Sequence, residues 1–124
     1  MPHIKAKDAV IFTLPQVTFS GLAAPSRGAR ETSVWRVRLD PFTPGNPHSL
    51  SREEVLVALS GQAEAVIGGV THEFKAGDAL IVPAEVAFSL ANPSDQPFEA
   101  MAVLPVGGQA RIGADPAFIP PWAL

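Results

Sequence analysis

Short apolar runs, separated by turn residues, follow one another along the whole chain. The clearest is SVWRVRLD (33–40), in which Trp35, Val37 and Leu39 are apolar and the two residues between them are arginine. A period of two places alternate side chains on opposite faces of an extended chain, so this run predicts a half-buried β-strand. Similar but less regular runs predict strands at residues 8–14, 16–22, 53–61, 63–69, 70–74, 79–82, 86–91 and 98–104.

Turn-forming residues separate these runs and argue against long helices. The chain contains 13 prolines and 10 glycines, and Gly68-Gly69 is a hairpin signal between two of the runs. No apolar pattern with a period of 3.6 residues is sustained. Strands at intervals of about 8 to 12 residues predict an all-β sandwich or barrel. The length of 124 residues fits one domain, residues 1–124.

Composition excludes several classes of protein and site. Without cysteine the chain has no disulfide and no thiolate ligand, so a metal ion would need Asp, Glu or the three histidines. The net charge of −3 argues against a dedicated nucleic-acid binder. The start, MPHIKAKDAV, lacks the apolar run of a signal peptide, and no run of about 18 apolar residues exists to span a membrane. We therefore expect a cytoplasmic protein without nucleic-acid or membrane partners.

Two stretches carry residues at informative spacings. In residues 45–61, His48 is followed by Glu54 and, after six further residues, by Gly61. The stretch GDALIVPAEVAFSLAN (77–92) contains three further residues at informative spacings: Gly77, Pro83 and Asn92. These spacings resemble the two motifs of the cupin superfamily, and the chain is similar in length to a single-domain cupin. The resemblance implies a double-stranded β-helix, that is, a jelly-roll (RmlC-like) barrel.

The departures from the cupin motifs bear on chemistry. A usual cupin metal ion is held by three His and one Glu, and here Leu50 stands at the second His position and Phe88 at the third. Phe42 and Glu85 stand where the motifs have glycine. Of the four ligands the resemblance implies, only His48 and Glu54 remain. Zn and Fe normally take three or four protein ligands, so no cofactor is expected.

The two remaining polar residues have alternative roles. The resemblance places Glu54 inside the barrel, where its carboxylate needs a partner or a proton, and a hydrogen bond with His48 would satisfy both groups. His48 is then either a general acid or base or half of a structural pair. The alternative is that Glu53 and Glu54 are both solvated near the start of the strand. If a metal ion is bound after all (Zn, Fe, Mn or Ni), His48 and Glu54 hold it, with His72 as a possible third ligand.

Apolar residues expected inside the barrel either fill the core or line a pocket for a small organic ligand. These residues are Leu50, Leu56, Phe74, Phe88 and Met101, with His72 as a further lining residue or a rim-exposed one. Arg36 and Arg38 lie either on the solvated outer face or at the barrel mouth, where they would bind an anion. Trp122 either caps the mouth or anchors a dimer surface.

Three functional hypotheses follow. The first is a cupin with a degenerate metal centre that binds a small organic molecule, with possible metal-independent acid–base catalysis by His48 and Glu54. The second is a metal-dependent oxygenase or isomerase. The third is a structural barrel with a filled core. The resemblance also implies a homodimer, formed through a sheet edge or an exchanged N-terminal strand, and open sheet edges supply the physical motive.

Overall fold

Eleven short β-strands and three 3-10 turns make up the chain. The structure, a computed structural model, describes every residue from 1 to 124. The strands are β1 (Val10–Leu14), β2 (Val17–Ala23), β3 (Thr32–Leu39), β4 (Ser49–Leu50), β5 (Glu54–Ser60), β6 (Gln62–Ile67), β7 (Val70–Lys75), β8 (Ala79–Val82), β9 (Phe88–Ala91), β10 (Phe98–Pro105) and β11 (Ala110–Arg111). The 3-10 turns are Ala6–Asp8, Pro25–Arg27 and Pro121–Ala123.

The strands form two antiparallel layers. The larger sheet has the order β1-β2-β3-β10-β5-β8, and the smaller has the order β7-β6-β9. The β4–β11 pair continues the smaller layer because His48, just before β4, exchanges two backbone hydrogen bonds with Phe88 of β9 (2.9 and 2.8 Å). The predicted all-β jelly-roll is therefore confirmed.

The core lies between the two layers and follows from alternation along the strands. In β3 every second residue from Ser33 to Leu39 is buried, as the SVWRVRLD pattern predicts. In β10 the buried positions are Phe98, Ala100, Ala102 and Leu104. Two alanines thus lie between two large side chains at the centre of the larger sheet, and Ala102 lines the space between the layers.

The predicted strands agree with the observed ones to within a few residues, and residues 79–82 coincide with β8. The strands β4 and β11 were not predicted, because two residues are too few to carry a period. The C-terminal tail packs against β1, β2 and β3 of the larger sheet. Trp122, in the last 3-10 turn, stacks on Phe19 of β2 with ring centroids 3.6 Å apart.

Two residues of the cupin motifs have structural roles. Gly61 has φ +75°, and a Cβ there would lie 2.4 Å from the carbonyl oxygen of Pro97, so only glycine fits. Asn92 is fully buried, and its amide donates to the carbonyl oxygens of Asp40 (3.1 Å) and Gln96 (2.7 Å). Asn92 Oδ1 accepts a hydrogen bond from the backbone N–H of Ser94 (3.1 Å), which fixes the following loop.

The two residues that stand at motif glycine positions have the backbone conformation that favours glycine. Phe42 has φ +58° and Glu85 has φ +65°, both in the left-handed region that favours glycine. The turn at Glu85 is fixed by its N–H, which donates to the carbonyl oxygen of Leu50 (2.7 Å). The fold thus keeps the motif's turns although the residues have changed.

Candidate functional site

A cavity of about 200 Å³ lies between the two layers. Its wall is mostly apolar and is built from both sheets, from β11 and from the C-terminal tail. The lining residues are Leu14, Val17, Phe19, Trp35, Val37, Leu39, Thr43, Pro44, Asn46, His48, Glu54, Leu56, Phe88, Leu90, Ala102, Ala110, Ile112, Phe118, Pro120 and Trp122.

Glu54 places a carboxyl group in this apolar wall. As the first residue of β5 it shares the inward face with Leu56 and Ala58, while Glu53 is exposed. The residue is only 4% exposed, and burial raises the pKa of its carboxyl to about 8. At neutral pH, Glu54 is therefore a protonated acid that can donate a hydrogen bond. The inward placement implied by the cupin resemblance is confirmed, and the solvated alternative holds for Glu53 alone.

His48 places an imidazole in the same cavity. Its Nδ1 lies 2.9 Å from the backbone carbonyl oxygen of Asn46, which can only accept, so Nδ1 carries the proton. Burial lowers the pKa of His48, although this hydrogen bond partly opposes the shift. The ring is therefore neutral at pH 7, and Nε2 offers a lone pair. The Phe88 ring packs against the imidazole with centroids 4.3 Å apart.

The predicted hydrogen bond between His48 and Glu54 is not formed. The ring of His48 bonds instead to the backbone of Asn46, and burial is the only cause of the raised pKa of Glu54. The local turn supplies a nearer acceptor for Nδ1 than the opposite sheet does. His48 and Glu54 thus line the same cavity but do not hydrogen-bond to each other.

The other predicted pocket residues lie in different parts of the structure. Leu56 and Phe88 line the cavity, whereas Leu50 and Phe74 are buried in the core beside it. His72 lies on the same face of β7 as Phe74 but is exposed, so its rim-exposed interpretation is the correct one. Met101 was wrongly expected inside the barrel. It alternates with buried Ala100 and Ala102 and therefore faces outward.

The arginines of β3 lie outside the site. Arg36 and Arg38 are on the outer face of the larger sheet, as their alternation with buried residues requires. Arg36 is 3.9 Å from Glu99, and Arg38 is 3.6 Å from Asp40. The interpretation of these arginines as an anion site at the barrel mouth is therefore wrong.

Aromatic side chains from distant parts of the chain were missed as cavity residues. Phe19, Trp35 and Phe118 line the cavity, and so does Trp122 of the C-terminal tail. Trp122 was singled out as a possible cap, but the others gave no signal beyond membership of an apolar run. The Nε1–H of Trp122 is buried without a hydrogen-bond partner. This segment is thus packed by its ring and not by its polar atom.

The donor set does not fit the metal ion that the cupin resemblance implies. Apart from His48 and Glu54, the corresponding ligand positions hold Leu50 and Phe88, and no cluster of three His, Asp or Glu side chains is positioned to hold a metal ion. His48 offers one free ring nitrogen, since Nδ1 is committed to Asn46. Two donors are fewer than a Zn or Fe site normally uses, so these residues do not form a site for either ion.

Two packed antiparallel sheets around an apolar cavity define a jelly-roll β-barrel protein. The family model described as "Cupin domain" matches residues 35–104, which is more than half of the chain. The chain therefore belongs to the cupin family, as its two motifs predict. No curated protein sequence matches the chain. None of its helical turns has the length and apolar character needed to cross a membrane.

Solved structures share this fold at low sequence identity. The polyketide cyclase RemF from Streptomyces resistomycificus has a TM-score of 0.75 and 19% identity, covering 85% of this chain and 79% of the cyclase. An RmlC-like cupin from Shewanella frigidimarina has a TM-score of 0.73 and 17% identity, covering 85% and 91%. A sugar phosphate isomerase of the cupin superfamily from Silicibacter pomeroyi has a TM-score of 0.73 and 17% identity, covering 92% and 83%. These likenesses show the fold alone.

Proposed function

We propose that this cupin binds a small organic molecule in the cavity between its sheets, without a metal ion. The observation that supports the proposal is the carboxyl of Glu54, which lies on the apolar wall of the cavity and makes no hydrogen bond to another residue. Its oxygens are not among the fully shielded atoms that lack a partner, so they are accessible from the cavity. Burial nevertheless raises the pKa of this carboxyl to about 8, and a fold that served only as a structural barrel would gain by replacing it with an apolar residue. A ligand that hydrogen-bonds to Glu54 would offset this unfavourable burial.

The test is a thermal-shift screen of metal-stripped protein against neutral, cationic and anionic small molecules, with metal analysis of the untreated protein. We expect at least one compound to raise the melting temperature in proportion to its concentration. A stoichiometric metal ion that is lost in His48→Ala would contradict the metal-free site. A screen without any shift would favour the structural barrel.

Acid–base catalysis is a second candidate. It is supported by the presence of a neutral acid, Glu54, and a neutral base, His48, in the same cavity. The raised pKa of Glu54 leaves a neutral acid, and the lowered pKa of His48 leaves a neutral base, so both are in the forms that a proton transfer requires at pH 7. In such a step Nε2 of His48 would take a proton from the carbon next to a carbonyl, while Glu54 protonates the carbonyl oxygen. Deuterium exchange from D₂O into small bound ketones, followed by NMR, tests this. Equal exchange in wild type and Glu54→Gln would exclude it.

We further propose that the chain forms a homodimer. The strands β1 and β8 are the free edges of the larger sheet, and each carries exposed apolar side chains. Ile11 is 56% exposed and Ile81 is 62% exposed. Unpaired edges of this kind offer backbone hydrogen bonds and apolar surface to a second chain.

A further inference from the structure

The chemical character of the ligand can be narrowed further, on the assumption that the cavity binds a small molecule as proposed above. No lysine or arginine lines the cavity, and its only ionisable side chains are Glu54 and His48. Both are neutral at pH 7, because burial shifts the pKa of each toward its uncharged form. An anionic ligand would therefore enter an apolar space without a countercharge, which is strongly unfavourable. Carboxylates and phosphorylated sugars are thus poor candidates.

Ligands rich in hydroxyl groups are equally disfavoured. Apart from the indole N–H groups of Trp35 and Trp122, only four lining side chains carry polar atoms: Thr43, Asn46, His48 and Glu54. The hydroxyl of Thr43 already donates to the carbonyl oxygen of Asp40 at 2.6 Å. A free sugar would leave most of its hydroxyls without partners, each at a cost of about 1–3 kcal/mol.

The wall of the cavity is instead suited to a planar apolar ligand. Five of the nine aromatic side chains in the protein line the cavity, namely Phe19, Trp35, Phe88, Phe118 and Trp122. An apolar cavity of about 150 Å³ holds benzene. The cavity of about 200 Å³ therefore has room for one aromatic ring with a small substituent.

The two ionisable side chains that line the cavity offer one donor and one acceptor from opposite layers. Glu54 lies on β5 in the larger sheet, and His48 is held beside β9 in the smaller one. The carboxylic acid can donate its O–H, and Nε2 of His48 can only accept, since Asn46 holds the proton on Nδ1. We propose that the cavity binds a neutral, single-ring aromatic molecule with one hydroxyl group, which accepts from Glu54 and donates to Nε2 of His48.

A protonated amine attached to a single ring through a CH₂ group is the main competitor, and the observations favour the hydroxyl compound. A bound ammonium ion would require Glu54 to ionise, and both charges would lose water in an apolar wall. The gain from such a buried pair often fails to offset the loss of solvation. A hydroxyl group uses the acid and the imidazole in the protonation states that they already have.

The experiment is isothermal titration calorimetry at pH 7 with four matched probes that share one ring. The probes are benzyl alcohol, toluene, benzylamine and benzoate. We expect benzyl alcohol to bind at least tenfold more tightly than toluene, and toluene more tightly than the two ions. Glu54→Leu should reduce the advantage of the alcohol over toluene to about twofold or less, while Glu53→Gln, with its exposed neighbouring side chain, should behave as wild type.

A pH series adds a readout that does not depend on a destabilising variant. Raising the pH from 7 to 9.5 ionises Glu54. The carboxylate can no longer donate a hydrogen bond to benzyl alcohol, and it loses part of its hydration when the alcohol binds. We expect its affinity to fall about tenfold, with no change for toluene. Glu54→Gln should remove this pH dependence, since an amide does not ionise.

The outcomes separate the ligand class from the proposed function. Equal binding of alcohol and toluene, or preferred binding of benzylamine or benzoate, would overturn the hydroxyl assignment and leave small-molecule binding intact. If none of the four probes binds and the wider screen also gives no shift, both proposals fail. If other compounds in that screen bind but none of the four probes does, only the aromatic assignment is overturned.

Discussion

At the scale of single residues, Glu54 makes the stability of the protein depend on pH. Burial holds the pKa of its carboxyl at about 8, against an ordinary value of 4.5. Between these two values the folded state binds a proton that the unfolded state has lost, so the free energy of unfolding decreases as the pH rises. The lowered pKa of His48 acts in the opposite direction, and its effect fades as the pH rises through the ordinary value of 6.5. The effect of Glu54 therefore dominates in the upper part of the interval from pH 6.5 to 8.

We predict that wild-type protein loses stability between pH 6.5 and 8, by on the order of 1 kcal/mol per pH unit. Glu54→Gln should flatten this dependence and make the protein more stable than wild type at pH 8.5, since no charge is then created in the apolar wall. Urea unfolding at several pH values measures the effect. Glu53→Gln is the matched control and should keep the wild-type slope. An unchanged slope in Glu54→Gln would contradict the burial of an unpaired carboxyl.

At the scale of structural elements, the turn before β9 keeps a left-handed residue without glycine. Glu85 is exposed and has φ +65°, a conformation that costs an L-residue roughly 1–2 kcal/mol. Glycine avoids this cost but has more freedom in the unfolded chain, which offsets about half of it. We predict that Glu85→Gly raises the free energy of unfolding by about 0.5–1 kcal/mol.

The control for this turn is Glu85→Ala, which removes the charge but keeps the Cβ. Chemical denaturation of the two variants and wild type should show a gain for Gly and none for Ala. A loss of stability in Glu85→Gly would mean that the side chain of Glu85 stabilises the turn by more than its conformation costs.

The C-terminal tail is the second element with a measurable role. Trp122 stacks on Phe19 at 3.6 Å and meets Phe12 edge-on at 6.3 Å, while its Nε1–H lacks a partner. We predict that Trp122→Ala lowers the free energy of unfolding by about 3 kcal/mol, as the loss of a packed aromatic ring does. Trp122→Phe keeps most of the stack and removes the unpaired N–H, so it should cost less than about 1 kcal/mol. Similar losses for Phe and Ala in guanidinium unfolding would mean that the indole nitrogen makes a stabilising contact.

At the scale of the whole molecule, the proposed dimer depends on the free edges of the larger sheet, β1 and β8. We predict a dimer in size-exclusion chromatography with light scattering, formed at the edge of β1 or of β8. Ile81→Lys on β8 and Ile11→Lys on β1 identify the edge, because a buried lysine at the interface should produce monomers. Val70→Lys, at an exposed position of β7 in the other sheet, is the matched control. A monomeric wild type at micromolar concentration would contradict the proposal.

The strands and the motif residues could be predicted from local sequence because their signals are local. Alternation in residues 33–40 predicted β3 and placed Arg36 and Arg38 on the face opposite its apolar residues, although it left open whether that face is the outer surface or the barrel mouth. Met101 also alternates with buried residues, but these are alanines, which are small and give little contrast in hydrophobicity. His72 shows the opposite limit, since it shares a face with buried Phe74 and is still exposed near the rim.

The cavity itself depends on tertiary structure. Sequence alone determined the cupin fold, the pair of surviving polar residues and the loss of the two further histidines. Only the packing of the two sheets decided that Glu54 is unpaired, that His48 bonds to Asn46, and that aromatic residues from both ends of the chain meet around them. The reason is physical: local pattern determines which way a side chain points, whereas pKa, partners and empty volume depend on residues that are distant in sequence.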